Sequence, residues 1–149
     1  MIAFKDLKGL METVINWENK LSEFYDVAET ILKNNESKKI IALLRENHIK
    51  NLQIIKDIHI ENFGGNEWIR YVPDFNVKNL LPIEKIKRET TSKEIINYVL
   101  EFEEKTREFY SSISEIIITR NQKELFNSLA IFKDRQVFEI KKIMESNHL

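Results

Sequence analysis

The chain has 149 residues, 42% apolar and 32% charged, with three glycines and two prolines; this suits one helical domain with a real core rather than a disordered or all-β chain. Net charge is −1 from 23 basic and 24 acidic residues, so no overall field recruits nucleic acid or an anionic membrane. There is no cysteine, which excludes disulfides, thiolate zinc sites, iron–sulfur clusters and CxxC redox chemistry.

Apolar residues recur with a helical period in four segments. The first helix is expected over about 4–33, with a stripe through Leu7, Leu10, Met11, Val14, Leu21, Phe24, Tyr25, Ala28, Ile31 and Leu32. Asn34-Asn35-Glu36-Ser37 supplies turn chemistry and N-cap residues. A second helix follows over about 38–61, and Asn62-Phe63-Gly64-Gly65 ends it with glycines suited to a left-handed cap. A connector over about 62–90 holds Pro73, Pro82 and the scattered apolar residues Trp68, Tyr71, Phe75, Leu80 and Leu81. That is too long for a turn and long enough to run the length of a helix. Thr91-Ser92-Lys93-Glu94 is a capping box for a third helix over about 91–119. Asn121-Gln122-Lys123-Glu124 imitates one before a fourth helix over about 122–146. Two helical hairpins joined by one long crossover make an all-α four-helix bundle.

An internal repeat links the hairpins. Glu18-Asn19-Lys20-Leu21-Ser22-Glu23-Phe24-Tyr25 returns as Glu103-Glu104-Lys105-Thr106-Arg107-Glu108-Phe109-Tyr110, identical at five of eight positions. Glu18 falls on the inward line 14, 18, 21, 25, 28, and Glu103 on 99, 103, 106, 110, 113. A buried carboxylate costs several kcal/mol unless it is paired. On the second helix the line 41, 45, 48, 52, 55 passes through Arg45 and His48; on the fourth, 129, 133, 136, 140, 143 passes through Lys133 and Gln136. The expectation is one buried layer of Glu18, Arg45, His48, Glu103, Lys133 and Gln136. Tyr25 and Tyr110 read as packed core phenols. His59 reads as partly exposed, and Lys85, Lys87 and Arg88 as a solvated edge.

These motifs resemble the rubrerythrin branch of the ferritin-like superfamily. The frames Ile41-Ala42-Leu43-Leu44-Arg45-Glu46-Asn47-His48 and Leu129-Ala130-Ile131-Phe132-Lys133-Asp134-Arg135-Gln136 are similar to that family's Leu-Ala-x-x-Glu-x-x-His. The resemblance implies a ferritin-like bundle and a di-iron centre held by a Glu from each of the first and third helices and a Glu-x-x-His from each of the others. Arg45 and Lys133 stand where the family has Glu, and Gln136 where it has His. Of the implied ligands Glu18, His48 and Glu103 persist, and the cysteine-bearing rubredoxin-like tail has no counterpart.

Two carboxylates facing one Arg and one Lys balance, so ion pairs are expected in place of the metals. The reading is a non-catalytic binding or structural module with no cofactor, not a working di-iron oxidoreductase. A second reading keeps a single Fe or Zn on Glu18, His48 and Glu103 as a metal-binding oxidoreductase or iron-handling protein. A third is a small-ligand binder that uses the charged cavity for an anion or polar metabolite. The start, Met1-Ile2-Ala3-Phe4-Lys5-Asp6, has no signal-peptide apolar run, and no segment reaches the roughly 20 apolar residues that span a bilayer. A cytoplasmic protein is expected, with a homodimer as one option and no nucleic-acid or membrane partner.

Overall fold

In the computed structural model, which describes residues 2–64, 67–72, 76–117 and 119–149, the chain enters as a short strand rather than a helix. Strand β1 (Ala3–Lys5) pairs antiparallel with β2 (Ile69–Tyr71), Phe4 opposite Arg70. The helix expected from position 4 therefore begins at Leu7. Asp6 accepts from the Gly9 N–H at 2.8 Å and caps α1 (Leu7–Ile31). Asn34 caps α2 (Asn35–Lys56), accepting from the Ser37 N–H at 3.0 Å.

Helix α2 stops five residues before the expected end. After it comes a 3₁₀ turn at Ile60–Phe63, and Gly64 leaves that turn at φ +116°. A Cβ there would be strained and would meet the Gln122 amide at 3.2 Å. Gly65, Pro73 and Phe75, on which parts of the connector's reading rested, lie outside the described residues. In the rest of the connector, β2 is followed by the single turn α3 (Val77–Leu80) and a 3₁₀ turn at Ile83–Lys85. Trp68 is exposed, whereas Ile69, Tyr71, Leu80, Leu81 and Ile86 are buried against the helices.

Helix α4 (Ser92–Ile116) opens on the expected capping box: Thr91 accepts from the Glu94 N–H and Glu94 accepts from the Thr91 N–H. Helix α5 (Arg120–Ser146) starts earlier than its sequence suggests. Its N-cap, Thr119, makes no side-chain cap, so the Asn121-Gln122-Lys123-Glu124 stretch expected to open the helix lies within its first turns, with Gln122 buried.

Two apolar clusters give the relative direction of the four long helices. One gathers Leu21, Phe24, Ala28, Ile41, Leu44, Ile95, Val99, Phe102 and Ile140. The other gathers Leu10, Val14, Ile55, Phe109, Ile113, Leu125, Phe126 and Leu129. The end of α1 thus lies with the starts of α2 and α4 and the end of α5. Helices α2 and α4 point the same way, and α1 and α5 point the other. The long connector provides that geometry by returning the chain to the end where α2 began. Between the two clusters runs a polar layer. No described helix is long and apolar enough to cross a membrane.

Candidate functional site: a buried polar layer between two apolar clusters

Mid-helix positions of all four long helices contribute to the layer. Glu18, Glu103 and Lys133 are each no more than 1% exposed, and His48 and Gln136 are 5% exposed. The Lys133 ammonium lies against both carboxylates: it contacts Glu18 Oε1 and sits 3.1 Å from Glu103 Oε2 and 3.4 Å from Glu103 Oε1. It also donates to Gln136 Oε1 at 3.3 Å. The Phe102 ring centroid is 5.6 Å from it, near enough for a cation–π contribution. His48 Nε2 lies 2.9 Å from the backbone oxygen of Glu18. A carbonyl only accepts, so Nε2 carries the hydrogen. Thr106 donates to the Phe102 carbonyl at 2.6 Å and closes the layer on α4.

Arg45 does not join them. The buried seam of α2 is Ile41, Leu44, His48, Leu52 and Ile55, so Leu44 takes the inward place one residue earlier. The Arg45 guanidinium reaches outward to Asp26 Oδ1 at 3.0 Å and Glu29 Oε2 at 3.2 Å, with its side chain one-third exposed. Leu44 gains by burial and Arg45 would lose heavily by it, while two carboxylates on α1 offer a cheaper partnership near solvent. The expected balance of two anions and two cations becomes two carboxylates and one ammonium.

The missing charge is reflected in proton affinities. Burial, with Glu18 adding to it and Lys133 opposing, pushes the Glu103 carboxyl up to about 7. Burial pulls Lys133 down, but Glu103 and then Glu18 outweigh it and hold the ammonium above its usual range. Burial lowers His48. Tyr25 and Tyr110 are fully buried phenols raised first by burial and then by the two carboxylates. The Tyr110 hydroxyl and the Gln136 amide nitrogen are buried with no hydrogen-bond partner.

The residues present do not fit the di-iron donor set implied by the family likeness. Arg45 is turned away, Gln136 replaces an imidazole, and the Lys133 ammonium stands between the two carboxylates. Among the described residues no group of three or more His, Asp or Glu converges as a metal site. His59 is exposed and contacts Glu61 at 3.2 Å.

A small cavity of about 20 Å³ opens between α2 and α5 and reaches the layer at His48, Glu103, Tyr25 and Gln136. Its mouth carries Asn47, Asn51 and Glu139. Periodicity could flag the layer but not this cavity, which depends on how far apart two non-consecutive helices stand.

The class defined by these observations is an all-α protein whose interior holds a buried cluster of two carboxylates and one ammonium. No protein-family model matches the chain, and no curated protein sequence matches it. Among solved structures it is similar to a hypothetical protein from Pyrococcus furiosus, with a TM-score of 0.53 and 19% identity over 91% of this chain and 86% of that one. At that identity the likeness is one of fold.

Proposed function

We propose that the chain is a ferritin-like four-helix bundle of the rubrerythrin type that has lost its di-iron centre and acts as a non-catalytic binding or structural module. One observation carries this reading: the Lys133 ammonium, fully buried, bridges Glu18 and Glu103. A lysine there neutralises part of the charge that metal ions would, and it repels a divalent ion at contact distance by several kcal/mol for an effective dielectric near ~20. The repeat of Glu18 and Glu103 on α1 and α4, and the frame shared by α2 and α5, support the ancestry.

Metal analysis of protein expressed in iron- and zinc-supplemented medium tests it. The reading expects only traces; more than about half an equivalent of tightly held iron or zinc overturns it in favour of a metal-dependent oxidoreductase. The triple variant Arg45→Glu, Lys133→Glu, Gln136→His restores the donor set and should take up Fe(II) or Co(II). A folded triple variant that binds neither shows that α2 and α5 are misaligned with the family frame.

A further inference from the structure

We propose that the chain pairs with a second copy of itself through the outward face of α5, the two α5 helices running antiparallel about a two-fold axis beside Phe138. The inference is independent of what occupies the polar layer, which lies on the opposite side of α5.

Exposure comes first. Phe138 and Ile131 are 68% and 55% exposed. Seven residues apart, they lie within about 20° of one another on the helix. Isolated exposed apolar residues are ordinary, but these two adjoin a groove. It is lined by Leu43 and Asn47 of α2 and by Glu139, Lys142 and Ile143 of α5, and Leu43 is itself exposed. One face thus carries both an apolar projection and a recess to receive one, which is what an isologous contact needs.

Charge identifies the occupant. Asp134 reaches Arg107 of α4 at 3.3 Å and so marks the α4 flank of the face; Lys141 lies on that flank, two turns on. Glu139 lines the groove against α2 and marks the other flank, which Arg135 shares one turn earlier. Among the described residues Arg135, Glu139 and Lys141 make no ion pair. When a two-fold axis relates two antiparallel helices, each flank meets the same flank of the other copy. With Phe138 against Phe138 at the axis, Arg135 arrives opposite Glu139 on one flank and Asp134 opposite Lys141 on the other. Each pair occurs twice, and all three matches share one centre to within a residue. The same register brings Ile131 of the second copy level with Ile143, at the groove beside Leu43. The face is its own complement in shape and in charge, and charge fixes the register.

Area agrees. About 18 residues of α5 overlap in this register, about 27 Å of helix, and with α2 alongside the contact is roughly two helices wide. That covers on the order of 1,100 Å² in total, above the roughly 1,000 Å² expected of a specific interface.

Sedimentation equilibrium of the full chain over a wide concentration range should show a reversible monomer–dimer equilibrium. Phe138→Glu should weaken it by about a hundredfold or more while leaving the circular dichroism spectrum unchanged, because Phe138 packs against nothing in the monomer's core. Trp68→Ser, which removes an exposed aromatic outside this face, should leave the dimer as it is. Arg135→Glu should weaken association roughly tenfold, and adding Glu139→Arg in the same chain should restore it. A chain that stays monomeric at every concentration overturns the proposal and leaves the face to a different protein. So does a dimer indifferent to Phe138→Glu, or a charge swap that fails to restore what Arg135→Glu removed.

Discussion

Replacing Glu103 by glutamine tests the charge state of the layer directly. In the folded protein burial raises this carboxyl from 4.5 to about 7, so between those values the folded state holds a proton that the unfolded state releases. Stability from this group is therefore fully present below about pH 4.5, falls as pH rises, and is gone above about pH 7. A difference of about 2.5 pH units at about 1.4 kcal/mol each makes the effect on the order of 3 kcal/mol. The neutral amide of Glu103→Gln would mimic the protonated acid at every pH and leave Lys133 paired with Glu18. The lowered His48 acts with the opposite sign, destabilising the fold as pH drops below its unfolded value, but it is present in both proteins and cancels in the comparison. Urea unfolding followed by circular dichroism from about pH 4.5 to about pH 8 should show the variant gaining about 3 kcal/mol on the wild type across that range. Parallel pH profiles would mean that Glu103 is ionised throughout and that the shortage of positive charge is met some other way.

The two cations once expected in one layer should behave differently. Arg45→Ala, which removes a surface pair, should cost no more than about 1 kcal/mol, whereas Lys133→Met should cost roughly 3–5 kcal/mol near neutral pH by leaving two buried carboxylates without their ammonium; comparable losses in denaturant titrations would refute the placement of Arg45. Thr91→Ala breaks the capping box on α4 and should lower stability by about 1 kcal/mol with little change in m-value. Gly64→Ala forces a Cβ into the φ +116° position against Gln122 and should destabilise by about 1–3 kcal/mol in the same assay; a neutral result would mean that this backbone angle relaxes freely.

Much of the interior was readable from residue order because helix burial obeys a local period. Val14, Glu18, Leu21 and Tyr25 on α1, and Val99, Glu103, Thr106 and Tyr110 on α4, all lie inside. So do Leu129, Lys133, Gln136 and Ile140 on α5. The capping box at Thr91 was legible for the same reason: its partners are three residues apart. On α2 the period admits either Leu44 or Arg45 at one inward step, about 100° apart on the helix. That choice turned on Asp26 and Glu29, which belong to another helix. The pairing of residues 3–5 with 69–71 was equally hidden, since strand partners distant in the chain leave no local trace. Residue order thus determined which faces turn inward and that acids lie among them. Only the packing of one helix against another decided which cation reaches those acids, because that outcome weighs desolvation against partners brought close in space.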